Sequence, residues 1–275
     1  MARIPEPITG INGVAPGGVA TVSIPTGRRY HALCFKYKGN ATQAVIEADI
    51  LWIRLIVGGN MIREIIPAEL NAELAANGIP FKAGRIPIFF SEPKRATVME
   101  EEATSWDTWG QSTFEVQFGI ADAATAPALT GYALYDYIRN DGLLVNGVQH
   151  PGANIVKWLR QSVVVAGAGD VDVKTLPKGI VQRMTIFGPI SAPTKVQAKI
   201  GSRTIWDLER ADAADVLSDY GITAQVKSYP VYYDFTQQII GAQPIATADD
   251  YNVNITAADA QNFSVLSQVR VAAFV

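Results

Sequence analysis

The amino-acid sequence predicts an all-β protein in which one β-rich domain occurs twice in tandem. Two observations lead to this prediction: many short segments alternate apolar and polar residues, and the stretches 58–79 and 201–222 resemble each other. Alternation with a period of two, bounded by Gly, Pro, Asn and Asp, is typical of half-buried antiparallel strands. Several such strands at short spacing favour a sandwich or a barrel.

The alternating segments give the predicted strands in chain order. They are residues 19–24 (VATVSI), 31–37 (HALCFKY), 113–120 (TFEVQFGI), 195–200 (KVQAKI), 228–235 (SYPVYYDF) and 264–271 (SVLSQVRV). In the second segment, alternation places four residues on one face: His31, Leu33, Phe35 and Tyr37. Residues 132–139 (YALYDYIR) fit either a short helix or a strand.

The stretch 58–79 predicts a turn followed by a short helix. Pro67 suits the first helical position, where its missing N–H costs nothing. Leu70 and Leu74 lie one turn apart on one face, and Gly78 predicts a left-handed stop at the C-terminal end.

The stretch 201–222 aligns with 58–79 without a gap and predicts the same turn and helix in the second half. Asp212 is the expected N-cap. Val216 and Leu217 are expected to face inward, and Gly221 ends the helix.

The repeat extends upstream to a sharp corner in each half. Residues 22–27 (VSIPTG) and 173–179 (VKTLPKG) each run from a strand into a Pro-x-Gly turn, and Phe35 and Phe187 follow at the same distance. Pro fixes the first φ of such a turn and Gly relieves its exit. Because two segments recur in the same order, the sequence predicts a tandem duplication.

The predicted domains are residues 10–135 and 150–275, joined by a linker at 136–149. The region of the join is rich in Gly and Asn, as its sequence NDGLLVNGVQHPGA at 140–153 illustrates. Such a composition is typical of a connecting loop.

The composition excludes several classes of protein. Of 275 residues, 48% are hydrophobic and the net charge is −3, with no cluster of Lys and Arg. Coating a genome directly requires several cations that neutralise phosphates, so we expect no direct binding of nucleic acid. The single cysteine, Cys34, excludes an intrachain disulfide, and we expect it to be a buried hydrophobe in a strand.

The sequence gives no expectation of a membrane-spanning or secretory segment. The most apolar window, ADILWIRLIVGG at 48–59, is short and contains Arg54. Residues 1–18 lack the apolar stretch of a signal peptide.

The histidines and the acidic run are the first places to look for a chemical site. His31 and His150 stand apart, without the spacing of a transition-metal site, so each is expected to cap a strand or to face solvent. In the run MEEEATSWD at 99–107, four carboxylates could gather around a hard cation such as calcium. The alternative is a solvated loop or helix face, which the sequence favours.

Trp52, Trp106, Trp109, Trp158 and Trp206 could stack on sugars, but in a sandwich such residues more often anchor a core or an interface. The Gly-rich loop GAGD at 167–170 is a weak signal for phosphate binding. The sequence therefore assigns no catalytic residue, no cofactor-binding residue and no metal ligand.

The chain resembles the double jelly-roll major capsid proteins, and among them the corticovirus type of lipid-containing bacteriophages. The resemblance covers residues 15 to 235 and rests on an ordered set of motifs. They are VATVSIPTGRRYHALCFKYKG at 19–39, FKAGRIPIFFSEP at 81–93, STFEVQFGIADAATAPALTG at 112–131, LPKGIVQRMTIFG at 176–188 and WDLERADAADVLSDYG at 206–221.

This resemblance implies two tandem eight-stranded jelly rolls, each with a short helix, and a structural role rather than an enzymatic one. It implies a homotrimer that forms a pseudo-hexagonal capsomer and contacts neighbouring trimers and a vertex (penton) protein. It also implies an icosahedral virion capsid around an internal viral membrane, assembled in the host cytoplasm. Calcium is associated with such shells, but the resemblance transfers no ligand to this chain.

Two alternatives come from other functional classes. A double jelly-roll hydrolase of glycans or glycopeptides would need an acidic cluster between the rolls. A tandem carbohydrate-binding module would need surface tryptophans in a row. We expect the capsid function instead of either.

Overall fold

The computed structural model describes residues 3–95, 97–138, 144–145, 148–149, 154–236, 242–247 and 249–272. The chain divides into two compact units. Unit 1 lies within residues 1–71, 80–156 and 272–275, and unit 2 lies within 72–79 and 157–271. Among the described residues, no helix has the length and apolarity that crossing a bilayer requires.

The first part of the chain supplies thirteen elements, from β1 to β10 with three helices. They are β1 (Ile4–Pro7), β2 (Ile11–Asn12), β3 (Val19–Ser23), β4 (Arg29–Tyr37), α1 (Gln43–Asp49), β5 (Ile50–Val57), β6 (Asn60–Ile65), α2 (Pro67–Ala76), β7 (Arg85–Phe89), α3 (Val98–Glu102), β8 (Trp106–Asp107), β9 (Phe114–Ile120) and β10 (Leu129–Asp136). The end of α2, from residue 72, belongs to unit 2.

Unit 1 consists of two antiparallel sheets. One sheet has the order β1-β10-β4-β7, with β8 also paired to β4, and the other runs β6-β5-β9-β3-β2. Alternating residues of both sheets meet in the core, where the rings of Phe35 on β4 and Phe118 on β9 lie 4.8 Å apart, edge to face. This arrangement is a sandwich of two sheets.

The small hairpin of β11 (Leu144–Val145) and β12 (Val148–Gln149) precedes the elements of the second part. Those elements are β13 (Asn154–Val165), β14 (Gly169–Val173), β15 (Gly179–Phe187), β16 (Lys195–Ile200), β17 (Arg203–Glu209), α4 (Arg210–Ser218), β18 (Ser228–Tyr232), β19 (Gln243–Ile245), β20 (Tyr251–Ala257) and β21 (Gln261–Ala272).

Unit 2 is also a sandwich. Its sheets have the orders β13-β21-β15-β18, with β19 also paired to β15, and β14-β20-β16-β17. Val196, Tyr229, Val253 and Phe263 are buried in the core that the two sheets share.

The two units repeat one strand order. Read in chain order, β1, β3, β4, β5, β6, β7, β9 and β10 correspond to β13, β14, β15, β16, β17, β18, β20 and β21, and both sheets then have the same neighbours. Even the extra short strand recurs, since β8 pairs with β4 and β19 pairs with β15. The predicted tandem duplication is therefore confirmed.

The hairpin before each helix repeats in detail. The β5–β6 and β16–β17 hairpins both turn through two residues that begin with a left-handed glycine, Gly58 at φ 57° and Gly201 at φ 56°. Their ladders shift register at equivalent places, between Leu55 and Ile56 and between Ala198 and Lys199. A β-bulge increases local twist, so both copies bend here in the same way.

The helix α2 begins at Pro67 as predicted and is followed by Gly78 at φ 68°. Leu70 and Leu74 lie one turn apart, as predicted, but Leu74 is only half-buried while Glu69 and Glu73 are buried beside Leu70. Helical spacing places residues three and four apart on one face, and here that face carries two carboxylates.

The helix α4 begins before its predicted cap. Its N-cap is Glu209, which makes no side-chain capping bond, and Asp212 lies inside the first turn. The buried residues are Ala213 and Leu217, four apart, whereas Val216 is half-buried. The chain passes directly from β17 into the helix, which leaves no loop for a cap at Asp212.

The strand predictions also change in three places. His31, Leu33, Phe35 and Tyr37 are all buried, but apart from Lys36 the opposite face of β4 is buried too, so the expected half-buried strand at 31–37 is wrong. Residues 129–136 form strand β10, which decides between helix and strand for 132–139, and β18 ends at Tyr232 rather than at 235. A strand in the middle of a covered sheet is buried throughout and loses the alternating pattern.

Gly84 lies in the tight turn before β7, and substituting it tests how closely that turn is packed. At φ +72° an added Cβ would lie 2.2 Å from the carbonyl oxygen of Gly39, whereas a Cβ on Gly39, at φ +66°, would have no heavy atom within 4 Å. We expect Gly84→Ala to lower the free energy of unfolding by about 3 kcal/mol, and Gly39→Ala by about 1 kcal/mol from backbone strain alone. Equal losses in urea unfolding would contradict this packing.

Candidate functional site

The most constrained side chains of unit 1 lie on the central strand β4. Because β4 is covered on both faces, its polar residues Arg29 and His31 are 2% and 1% exposed. A buried charge is tolerated only when it is paired and hydrogen-bonded. The partners come from β10, from the end of β7 and from α3.

Arg29 forms a two-point contact with Asp136, the last residue of β10. Its Nε donates to Oδ1 of Asp136 at 2.9 Å, and its Nη2 donates to Oδ2. The same Nη2 donates to Oε2 of Glu102 on α3 at 3.0 Å. The planar guanidinium matches the carboxylate geometry, which makes such pairs strong and directional.

His31 connects this ion pair to a serine. Its Nε2 lies 2.9 Å from Oδ2 of Asp136, and its Nδ1 lies 2.7 Å from Oγ of Ser91. A carboxylate can only accept, so Nε2 carries a proton toward Asp136. The expectation that His31 caps a strand or faces solvent is wrong, because the folded strand places it inside the network.

A serine, a histidine and an aspartate in one chain of hydrogen bonds invite comparison with a hydrolase triad. Here Ser91 and Asp136 are each 2% exposed, so no substrate carbonyl can reach the serine oxygen. Asp136 is also held by Arg29 from the other side. The arrangement cross-links three strands and offers no nucleophile to solvent.

The network sets the protonation of Asp136. Burial alone would raise the pKa of this carboxyl, but hydrogen bonds from His31 and Arg29 outweigh burial and hold the pKa well below its usual value. Asp136 is therefore ionised at all moderate pH values and balances the charge of Arg29.

Several carboxylates of the acidic run 99–107 are held in ion pairs or in capping hydrogen bonds. Arg3 binds Glu101 at 2.6 Å and Glu102 at 3.4 Å, and Oδ1 of Asp107 accepts from the backbone N–H of Trp109. The favoured prediction of a solvated face is wrong for Glu102 and Asp107, because Glu102 pairs with Arg29 and Asp107 is buried. The described residues contain no group of three or more His, Cys, Asp or Glu side chains that could hold a metal ion.

Arg63 on β6 is a second buried cation in unit 1. Its Nε donates to the carbonyl of Val156 at 2.9 Å and its Nη1 to the carbonyl of Phe89 at 2.8 Å. The guanidinium carbon lies 4.9 Å from the ring centre of Trp106 and 5.4 Å from that of Phe90. Burial lowers the pKa of Arg63 to about 9.

The tryptophans do not form a row on the surface. Trp106 and Trp206 are buried, while Trp109 is 41% exposed. Trp52 is half-buried beneath Arg54, whose guanidinium carbon is 4.2 Å from its ring centre. Trp158 is half-buried as well. Core and surface packing therefore account for these residues better than a sugar-binding strip does.

The remaining sequence candidates give no site. Cys34 is buried in β4, as predicted, and the Gly-rich loop 167–170 leads into the exposed start of β14. His150 lies outside the described residues.

Unit 2 has its own buried carboxylate, Glu73 of α2, which is 4% exposed. Tyr232 and Gln268 each donate to its Oε2 at 2.9 Å, and the hydroxyl of Thr185 donates to its Oε1. These donors belong to β18, β21 and β15, so one side chain joins three neighbouring strands to the helix.

The negative charge of Glu73 is compensated less fully by a neighbouring cation than the negative charge of Asp136 is. Burial raises the pKa of Glu73, although the hydrogen bonds from Thr185 and Tyr232 lower it in part. Arg183 lies nearby, but its Nε donates to Oδ1 of Asp234 at 3.0 Å. Folding therefore favours the protonated form of Glu73.

Sequence reasoning missed Asp136, Ser91 and Glu73. The sequence does contain a signal for two of them. Asp136 is an acidic residue inside the aromatic segment YALYDY, and Glu73 lies at helical spacing from Glu69 and Leu70. Charged residues at apolar positions indicate buried pairs, but their partners lie far away in the sequence.

Both halves of the chain match models of one known protein family. Two family models match the chain: viral coat protein P2 N-terminal domain over residues 5–137, and viral coat protein P2 C-terminal domain over residues 155–269. No curated protein sequence matches.

Solved structures share the fold at low identity. The major capsid protein P2 from bacteriophage PM2 is 18% identical with a TM-score of 0.84, covering 100% of this chain and 98% of that chain. The STIV MCP is 12% identical with a TM-score of 0.70, covering 98% and 97%. The PBCV-1 virus capsid is 9% identical with a TM-score of 0.66, covering 98% and 93%. The predicted double jelly roll is confirmed.

Asp136→Asn tests the network of unit 1. We expect a loss of about 3–5 kcal/mol in the free energy of unfolding at pH 7, because the buried guanidinium of Arg29 loses its two-point carboxylate partner and keeps the more exposed Glu102. The folded pKa of Asp136 is lowered, so its contribution is present above the unfolded value of 3.8 and is lost as pH falls below it. The variant should therefore show less acid destabilisation than the wild type.

Glu64→Gln is the matched control, because the Arg54–Glu64 pair at 2.7 Å is 39% and 26% exposed. Its expected cost is below about 1 kcal/mol. Equal effects of the two variants in chemical unfolding would contradict a special role for Asp136.

Glu73 is predicted to show the opposite pH dependence. A raised folded pKa means that stability is complete below the unfolded value of 4.5 and decreases as pH rises through the folded pKa. Glu73→Gln should therefore gain stability relative to the wild type as pH increases. Glu73→Ala should lose about 2–4 kcal/mol, because Thr185, Tyr232 and Gln268 keep no acceptor. Parallel stability curves against pH for Glu73→Gln and the wild type would refute this assignment.

Proposed function

Because this chain belongs to the viral coat protein P2 family and is a structural, major capsid protein of a virion, we propose that it acts as a homotrimer. Three copies would place six jelly rolls around one axis and form a pseudo-hexagonal capsomer of an icosahedral shell. Its role is assembly rather than catalysis.

The observation that carries this proposal is the repeated strand order of the two units. A ring of three identical subunits has three-fold symmetry, and closed rings form through heterologous interfaces. When each subunit contains the same sandwich twice, the ring acquires six similar corners. Such a tile can occupy hexagonal positions in a shell.

The shell needs contacts beyond the trimer. The family places this chain in a capsid, where subunits assemble with their neighbours. We propose weak contacts between adjacent trimers that become strong in sum, as multivalent contacts do. A separate vertex protein would fill the five-fold positions, which a pseudo-hexagonal tile does not fit.

We propose that the inner side of the shell faces an internal viral membrane rather than DNA. The net charge of −3 supports this, since direct genome contact requires many cations. Trimers purified in mild detergent should bind DNA weakly, and tight, salt-sensitive binding would contradict the proposal.

Domain boundaries at 10–135 and 150–275, with a linker at 136–149, remain part of this proposal.

The hydrolase and the carbohydrate-binding module receive no support, because the coat-protein family covers both halves of the chain.

The oligomeric state gives the test. Light scattering on the purified chain should give three times the subunit mass of 29.6 kDa at micromolar concentration. The trimer should resist dilution, because three-fold closure makes each subunit contact two others. A stable monomer or a two-fold dimer would contradict the proposed function.

A further inference from the structure

The helices α2 and α4 are equivalent, but they bury one face to different extents. On α2, three residues at helical spacing are buried: Glu69, Glu73 and Ala76. The gapless alignment of the two helices matches them, in the same order, with Asp212, Val216 and Asp219. Both aspartates are exposed and the valine is half-buried. One face is therefore covered on α2 and left partly open on α4.

The end of α2 belongs to unit 2, where one face of a sheet receives it. Glu73 accepts a hydrogen bond from each of three strands, and the donors are Thr185 on β15, Tyr232 on β18 and Gln268 on β21. Tyr232 and Gln268 lie directly opposite Arg183. Thr185 follows Arg183 two positions later on β15. Since side chains two apart on a strand share a face, the three donors lie on one side of the sheet.

Unit 1 has the equivalent sheet face on β7, β4 and β10. Phe89 and Leu134 lie directly opposite Ala32, and Cys34 follows Ala32 two positions later on β4. This side of β4 faces away from the core, in which Phe35 packs. Continuing the alignment of the helices matches β7 with β18 residue for residue. Tyr232 therefore corresponds to Phe89, Gln268 to Leu134, and Thr185 to Cys34.

The chemistry of the helix and that of the sheet differ together between the copies. In unit 2 a carboxylate meets a hydroxyl, a phenol and an amide. At the matched positions the helix carries Val216, and the sheet carries Cys34, Phe89 and Leu134. Val216, Phe89 and Leu134 are each half-buried. Packing them together would bury apolar surface and leave no polar group without a partner.

The charges around the two surfaces are complementary. Asp212, Asp215 and Asp219 give α4 an acidic exposed side. Lys36 on β4 and Arg85 on β7 are directly opposite each other and lie on the same sheet face as Cys34. Lys36 is exposed and Arg85 is half-buried. Such complementarity orients two surfaces and speeds their encounter.

We infer that α4 of one copy docks on the β7-β4-β10 face of unit 1 in a second copy, as the end of α2 packs on β18, β15 and β21. The occupant is a second copy because the chain itself carries the matching helix and the matching face, and each stays partly exposed in the single chain. Each copy offers one helix and one face, so the contact is head-to-tail and can close around a three-fold axis. This inference rests on the proposed trimer and deepens it.

Val216→Glu tests the contact in the full-length chain. The new carboxylate would be buried on Phe89 and Leu134 without a hydrogen-bond donor. We therefore expect the trimer, measured by light scattering, to dissociate at about 10- to 100-fold higher concentration. The matched control is Val226→Glu, because Val226 is 84% exposed in the loop after α4. The control should leave the trimer unchanged, and equal weakening by both variants would overturn the docking.

Copying the receiving side chains of unit 2 should restore the trimer of Val216→Glu. The added substitutions are Cys34→Thr, Phe89→Tyr and Leu134→Gln, which supply the three donors that Glu73 has in unit 2. We expect the combined variant to dissociate at the wild-type concentration. Failure of this rescue in a chain that unfolds in urea like the wild type would overturn the docking.

Disulfide trapping reads the same contact without a buried charge, and it decides the question if a glutamate variant fails to fold. Chains with Cys34→Ser carry either Val216→Cys or Leu134→Cys, are produced together and are oxidised. We expect a mixed disulfide at twice the chain mass of 29.6 kDa that disappears on reduction. Chains with Val226→Cys in place of Val216→Cys should give no such product, because their thiol lies out of disulfide range.

Light scattering on the trapped samples separates the docking from the trimer. A mixed disulfide in the trimer supports the docking of α4. A trimer without the mixed disulfide overturns the docking and leaves the proposed trimer intact. A sample that stays monomeric overturns both.

Discussion

The structure depends on one constraint: the strand that follows each Pro-x-Gly corner is central in its sheet and covered on both faces. In unit 1 this strand is β4, and in unit 2 it is β15, whose residues from Val181 to Ile186 are buried. A buried charged residue on such a strand must find its partner inside the protein, because an unpaired buried charge is very costly. Arg29 pairs with Asp136, and Arg183 pairs with Asp234.

The same constraint explains how two units with one strand order differ. The turns, the bulge and the sheet order repeat because backbone geometry determines them. The buried polar residues differ, since unit 1 uses a Ser–His–Asp chain and unit 2 uses Glu73 with three neutral donors. A duplicated domain can diverge in its side chains while it keeps its strand order.

Much of the fold could be predicted from local patterns. The alternating strands, the Pro-x-Gly corners and Pro67 at a helix start are properties of neighbouring residues, and the sequence displays them directly. The polar sites could not be predicted in this way. His31 was expected to cap a strand or to face solvent, because Asp136, its partner, lies 105 positions away. Glu73 was missed because its acceptor role appears only when β18 and β21 lie beside α2.

Electron cryomicroscopy of the assembled shell would show directly whether one sandwich occurs twice in each capsid subunit. We expect six similar lobes around each three-fold axis of the proposed trimer, in which unit 1 and unit 2 alternate and superpose strand by strand. Three lobes per tile, or two lobes per subunit with different strand orders, would contradict it.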